Sequence, residues 1–525
     1  MQRASRHHRF RNIARWLTVL ALFAAGYAIA NRFQLTHAVV YRLAADDPSS
    51  AVRAFLFLAF QGAVLMAALL LSPPRWAAAL LLLAGVSILV NISYTGIIPE
   101  LVDGGTLAWM IAEARQAPHA AGAFGGAFAW AGVQTAAALA LFGAARVLAR
   151  SGAPMPWGRG VAAALFVALA APSIACRQVD VWPEGAERNL YGLGWDIWTA
   201  SPPPARSAPT LAPDAGISAP RHIVWIVDES VAVEPFARLI APTLDGVSHL
   251  DFGVAAALGH CSAPAQVALR SGVDVRRVGE RTDLRRTPSI WAYARRAGYR
   301  TYMIDGQAAG APQNLLLPPE RALIDDYTPM VGGIDTDLKI ATALNARMKG
   351  AGKSFTYAVL RGVHFQYRDH YPKGAIPGDS PVRLQYDTAL RWSKGRFFES
   401  LLAGVDRDAV AIVYTSDHGQ NLTPGVLPHC SRDGTADEFR VPLLAFLPGA
   451  LAARYAKAPR SGHSSSQILP ATLGWIGYDR ARVTALYDHD LDRPTARFVW
   501  FGRTVIPVGA GDTISFSAGP DFPGT

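Results

Sequence analysis

The sequence predicts a bundle of about five membrane-spanning helices followed by an α/β domain built on a mainly parallel sheet. Three observations predict it. Continuous apolar sequence is confined almost wholly to residues before 177, although 51% of the whole chain is hydrophobic. Past residue 220, short runs of β-branched and aromatic residues alternate with helix-like stretches. Between these regimes, 201–219 is rich in Pro, Ala and Ser, a composition suited to a semi-rigid linker. The expected division is a transmembrane domain at 1–176, a linker at 177–219 and a soluble domain at 220–525.

The apolar runs lie at 16–33, 53–72, 76–97, 121–148 and 160–176, each near or above the ~17–20 residues needed to cross the hydrocarbon. The first should stay attached, since further spans follow at once and no convincing small-residue cleavage site separates them. Arginine sets the orientation, because cytoplasmic loops retain Lys and Arg. Arg3, Arg6, Arg9, Arg11 and Arg15 precede the first span, Arg75 lies between the second and third, and Arg146, Arg150 and Arg159 lie between the fourth and fifth. All three groups fall on one side, so an odd number of spans sends the rest of the chain across the membrane. In a two-membrane bacterium that compartment is the periplasm. The loop 98–120, with Gly104-Gly105 inside it, reads either as a plain connection or as a short amphipathic helix at the membrane surface.

The formal net charge is +10, but the basic residues are scattered, or sit beside the first hydrophobic helix. That pattern argues for topology signalling and a mildly basic surface, and against a nucleic-acid partner. Three cysteines, Cys176, Cys261 and Cys430, exclude a disulfide-built scaffold and a Cys-ligated zinc ribbon. At most one pair can form, and whether Cys261 meets Cys430 stays open.

In the second half, His222-Ile-Val-Trp-Ile-Val-Asp is nearly continuous in apolar residues, the pattern of a strand buried on both faces. Similar runs recur at 299–304, 355–360, 409–414 and 442–447, with helix-like stretches at 289–297 and 386–402. In such folds the site lies beyond the carboxyl ends of the strands. The first run is followed by Asp228, Glu229 and Ser230, the third by Arg361-Gly-Val-His364, and the fourth by Ser416-Asp417-His418-Gly419. One acid at a strand end is usually a cap or a loop residue. Acids and histidines converging from several strands suit zinc or manganese, whose ligands mix imidazole with oxygen.

Residues 259–272, Gly-His-Cys-Ser-Ala-Pro-Ala-Gln-Val-Ala-Leu-Arg-Ser-Gly, read as a polar turn entering an apolar helix. Ser262 at its start is either an N-cap or a nucleophile, its alkoxide stabilised by the helix N-terminus and a metal ion. Cys261 is a rival nucleophile at the same helix start.

These segments carry a resemblance. The second half resembles the alkaline-phosphatase/sulfatase superfamily, and the whole chain resembles the membrane-bound phosphoethanolamine transferases, in which five spans precede an exported sulfatase-like domain. The family's Met-Glu-Ser or Gly-Glu-Thr segment is matched by Asp228-Glu229-Ser230, and its Ser-Asp-His-Gly-Glu segment by Ser416-Asp417-His418-Gly419-Gln420. A family histidine followed by Tyr-Pro is matched by His364 with Tyr371-Pro372, and a second one by His429 in Leu427-Pro428-His429. Ala297-Gly298-Tyr299 entering a strand and Tyr386-Asp387 opening a helix agree as well. Both the sulfatase signature and the transferase pattern align their nucleophile with Ser262, the former placing Pro264 on its proline. Gln266 stands where sulfatases carry arginine, Ser262 where the transferases carry threonine, Gln420 where they carry glutamate, and Phe365-Gln366 in place of Gly-Pro.

The resemblance implies a zinc or manganese ion held by Glu229, Ser262, Asp417 and His418, with Ser262 as nucleophile and His364 and His429 binding the phosphoryl oxygens or a second zinc. It implies transfer of phosphoethanolamine from phosphatidylethanolamine to an envelope glycolipid or glycan of the lipid A type, at the periplasmic face of a bacterial inner membrane. The alternatives on the same fold are a phosphoglycerol transferase, a hydrolase, or a catalytically inactive domain with a role in envelope assembly.

Overall fold

The computed structural model describes residues 2–40, 43, 48–97, 101–102, 107–108, 110–111, 124–149, 184–199, 202–214, 218–278, 282–308, 314–330, 332–424, 428–430, 435–495, 498–499 and 501. The chain divides into two compact units, Met1–Ser201 and Pro202–Thr525.

Among the described residues of the first unit, four helices are long and apolar enough to cross a membrane: α1 (Gln2–Ala30, spanning from Asn12), α2 (Pro48–Leu71), α3 (Pro74–Ile97) and α4 (Gly125–Ala149). They coincide with the first four apolar runs. The expected fifth span, 160–176, and most of the 98–120 loop lie outside the described residues. Helix α1 approaches α4 closely at Gly26, where a Cβ would stand 3.0 Å from the Ala138 carbonyl oxygen, a small-residue contact of the kind that lets membrane helices pack. Arg146, in the last turn of α4, donates to the Leu69 and Ser72 carbonyl oxygens at the end of α2. The ends of α2 and α4 thus lie together, as the arginine pattern requires.

A polar feature of this unit was not anticipated from the sequence. Residues 184–189 turn into the bundle, and the backbone N–H groups of Gly185 and Ala186 donate to Gln61 (2.8 Å) and Asn31 (2.7 Å). Ser87 donates to the Ala186 carbonyl oxygen at 2.6 Å. Unpaired backbone groups are costly in an apolar bundle, and these side chains satisfy them. Helix α5 (Asn189–Thr199) follows.

The second unit is an eight-stranded sheet in the order β4-β3-β5-β1-β6-β7-β2-β8. Five strands match the apolar runs: β1 (His222–Asp228), β3 (Arg300–Asp305), β5 (Ser354–Val359), β6 (Val410–Ser416) and β7 (Arg440–Phe446). The sequence did not indicate β2 (Leu250–Ala256), β4 (Asp326–Pro329) or β8 (His463–Ser464). Only the pairings of β7, with β6 and β2, are antiparallel; β1, β3, β4, β5 and β6 run parallel to their other neighbours, as does β8 to β2.

The continuous apolar runs have their cause in two cores. Ile223, Trp225, Val227, Phe355, Tyr357, Ala411 and Val413 face one side, packed on helices that include α6 (Ser262–Arg270). Val224, Ile226, Ala358, Ile412 and Tyr414 face the other, against α7 (Thr336–Met348) and α8 (Val382–Lys394). Each large side chain so buried contributes roughly 1.5–3 kcal/mol. The stretch expected at 386–402 is two helices, α8 and a short turn of helix at Phe397–Leu402, and Tyr386 lies inside α8 instead of opening it.

Part of the Pro-rich stretch is fastened to this unit. Arg206 pairs with buried Glu320 at 2.7 Å, Leu211 joins the core, and Pro213 bridges to Tyr478. Composition indicated a semi-rigid linker there, whereas these residues are packed onto the second unit.

Candidate active site

Parallel strands β1 and β6 are neighbours in register, with Asp228 opposite Ser416, so the residues that follow each strand emerge side by side. The Ser416 hydroxyl donates to the Asp228 and His418 carbonyl oxygens (3.1 and 2.9 Å) and accepts from the Val231 N–H (2.9 Å), stitching the two strand ends together. Tyr386 donates to the Ser230 carbonyl oxygen and accepts from the Ala232 N–H, both at 2.8 Å, which fixes the turn where Ser230 adopts φ 61°.

Glu229, Asp417 and His418 are buried and offer three ligand atoms within 4.8 Å of one another. The His418 Nδ1–H donates to the Gly419 carbonyl oxygen at 2.8 Å. That bond directs Nε2 toward Glu229 Oε1, 3.4 Å away, and Asp417 Oδ1, 3.8 Å away. A carbonyl partner on the far nitrogen is the usual way a metal-binding imidazole is oriented. Asp417 Oδ1 accepts from the Ser230 and His418 N–H groups (3.2 and 2.7 Å), while its Oδ2 is buried with no protein partner.

The electrostatics fit a cation. Burial and the nearby Glu229 carboxylate push the Asp417 carboxyl up to about 8. Burial also opposes ionisation of Glu229, yet the His418 hydrogen bond and charge hold it well below the carboxylate range. His418 is raised to about 9 because Asp417 and Glu229 outweigh the effect of burial. Two carboxylates and an imidazole crowded together, with one oxygen orphaned, form a donor set that zinc or manganese would satisfy.

Ser262 begins α6. Its hydroxyl lies 3.2 Å from Glu229 Oε1 and 3.2 Å from His418 Nε2, and the N-cap position is held by Cys261, one residue earlier. The helix-start position therefore aims Ser262 at the cluster instead of capping the helix. Cys261 is joined to Cys430 by a disulfide, so it offers no thiolate to rival Ser262. The same bond ties the turn before Ser262 to the loop of His429. The His429 ring centroid lies 4.5 Å from that of His418 and 5.3 Å from that of exposed His364, so the two histidines expected to face substrate meet the cluster.

Three further groups surround the site; the sequence had marked only Gln266, and Gln307 and the role of Gly362 escaped it. Gln307, just past β3, donates to Glu229 Oε2 at 2.7 Å and to the Leu360 carbonyl oxygen at 3.1 Å; the strand-end rule would have flagged it, but an amide draws less notice than an acid. Gln266, at the sulfatase arginine position, is buried and accepts from the Tyr357 hydroxyl at 2.5 Å. Gly362 has φ +57°, and a Cβ there would stand 2.2 Å from the Glu229 carbonyl oxygen. Gly362→Ala is expected to cost about 2–4 kcal/mol, combining left-handed strain with that clash. Thermal unfolding together with metal analysis checks this, and a variant matching the parent in both would contradict it.

Residues 243–478 match the family model described as Sulfatase. The whole chain is similar in fold to the integral membrane lipooligosaccharide phosphoethanolamine transferase A from Neisseria meningitidis, at 15% identity, covering 88% of this chain and 96% of that one with a TM-score of 0.55. The zinc complex of the C-terminal periplasmic domain of EcEptC from Escherichia coli matches at 16% identity, covering 61% of this chain and 100% of that one with a TM-score of 0.50. No curated protein matches. An apolar helical bundle followed by a mainly parallel sheet is thus a fold that this chain shares with the Neisseria meningitidis membrane protein.

Proposed function

We propose that the protein is a metal-dependent phosphoethanolamine transferase of a bacterial inner membrane, with 1–176 in the membrane, 177–219 as linker and 220–525 catalytic in the periplasm. The observation that carries this reading is the Ser262 hydroxyl, 3.2 Å from both Glu229 and His418 at the N-terminus of α6. Glu229, Asp417 and His418, with Ser262, would hold zinc or manganese, and the bound ion supplies Lewis acidity that lowers the pKa of the serine hydroxyl.

Ser262 Oγ attacks the phosphorus of phosphatidylethanolamine. The phosphorus–oxygen bond to the glycerol breaks, the proton lost by the serine hydroxyl is returned to the departing glycerol oxygen, diacylglycerol leaves into the membrane, and phosphoethanolamine remains on the serine. The α6 N-terminus favours the negative charge gathered at this point. His364 and His429 bind phosphoryl oxygens. An acceptor hydroxyl or phosphate on an envelope glycolipid or glycan of the lipid A type then takes the group and frees Ser262. A membrane unit suits the scheme because donor and diacylglycerol are both insoluble in water.

Mass spectrometry of envelope glycolipids from cells with and without the protein tests the reading. The expected result is a gain of one phosphoethanolamine. Unchanged glycolipids, with the protein folded and metal-loaded, would overturn it.

A further inference from the structure

Gln420 follows the Asp417-His418-Gly419 turn and is buried. One end of its amide lies 3.2 Å from the Pro428 carbonyl oxygen, 3.2 Å from the Gly419 carbonyl oxygen and 3.0 Å from His429 Nδ1. The other end lies 2.8 Å from the Tyr367 hydroxyl. Two carbonyl oxygens carry only lone pairs, so the end facing them is the N–H2; an amide oxygen placed there would be pressed against two groups that cannot donate. The amide oxygen then accepts from the Tyr367 O–H, which completes the set. The N–H2 has two hydrogens for three neighbours, and His429 Nδ1, the nearest at 3.0 Å, accepts one of them while the two carbonyl oxygens at 3.2 Å share the other.

We propose that Gln420 is a positioning residue that holds His429 with its proton on Nε2, making this imidazole a hydrogen-bond donor to the phosphoryl group and not a ligand of a second metal ion. A neutral imidazole has one donor and one acceptor nitrogen. Occupying the Nδ1 lone pair leaves N–H at Nε2, on the opposite side of the ring. A metal ion needs a lone pair there. His418 has the reverse arrangement, its Nδ1–H donating to the Gly419 carbonyl oxygen and its Nε2 free to ligate. The Gly419 carbonyl oxygen thus takes part in both choices, and adjacent histidines are set to opposite tasks. A glutamate at 420 would accept at the same place, require Nδ1–H and release the Nε2 lone pair for a metal. The donor role rests on the transferase reading, whereas the tautomer does not.

The test is nitrogen-15 resonance of histidine-labelled full-length protein in lipid nanodiscs, with His429 identified by the signal lost in His429→Gln. The expected spectrum shows His429 Nδ1 unprotonated and Nε2 protonated; a protonated Nδ1 overturns the proposal. Gln420→Glu should reverse the assignment, and if that variant fails to fold, the parent spectrum alone decides. Zinc titration supplies a second readout. One tightly bound zinc per chain, unchanged in His429→Gln, supports the proposal, and two, falling to one in His429→Gln, refutes it. Neither measurement uses turnover, so unchanged glycolipids would remove the transferase reading without touching the tautomer.

Discussion

Ser262→Ala is expected to slow group transfer by at least about a thousandfold, because it removes the atom to which the phosphoryl group must bond. The loss should be catalytic and not structural. Ser262 stands first in α6, one residue past the N-cap Cys261, and its hydroxyl meets Glu229 and His418. The helix start is held independently by the Cys261–Cys430 disulfide. Alanine is also the best helix former, so the unfolding temperature should stay within a few degrees of the parent's. The informative experiment pairs rate with intact mass: parent protein incubated with phosphatidylethanolamine should gain one phosphoethanolamine, and the alanine variant none. Ser262→Thr keeps a hydroxyl at the same place and should retain part of the rate. An alanine variant that still turns over or still carries the adduct would show that another group attacks.

What could be read in advance follows from where the chain is buried. β1, β5 and β6 have both faces covered, so their sequences are apolar without interruption and their ends stand out as the first acids or histidines. Glu229, Asp417 and His418 were legible for that reason. β2 was not, because its burial follows no period of two, with only Phe252, Ala255 and Ala256 buried, and its register shifts between Asp251 and Val254. β4 and β8 are too short, at four and two residues, to produce a pattern. Partners joined across long stretches of sequence were equally hidden. Cys261 and Cys430 are 169 residues apart, and nothing in their local sequence says that they meet. Gln307 reaches Glu229 across 78 residues. The polar turn at 184–189 escaped notice because its partners Asn31, Gln61 and Ser87 look like isolated polar residues in apolar spans. Local pattern reveals burial and strand ends, whereas the groups that orient the site are chosen by tertiary contact.

The largest stability effect is expected from one such group. Lys394, the last residue of α8, is fully buried, with its ammonium 3.0 Å from Asp228 Oδ2 and 2.6 Å from Asp337 Oδ2. Asp228 also accepts from the Tyr414 hydroxyl and the Glu229 N–H, at 2.5 and 3.0 Å. Asp337 accepts from the Arg361 and Gly362 N–H groups, at 2.8 and 3.1 Å. One cation therefore joins the end of β1, which carries Glu229, to the loop that carries His364. Burial works against the ammonium, but Asp228 and Asp337 together hold its pKa above the usual lysine value. Lys394→Met keeps the length of the side chain and leaves two carboxylates facing each other in a dry interior, which should cost about 3–5 kcal/mol. Urea unfolding of the full chain in detergent measures it. Adding Asp337→Asn to Lys394→Met removes one of the stranded charges and should recover part of the loss, although each change alone destabilises. Simple loss of packing would instead make the double variant the worst of the three. Recovery of stability without recovery of transfer would show that the lysine also holds the strand end and the His364 loop at the spacing the reaction needs.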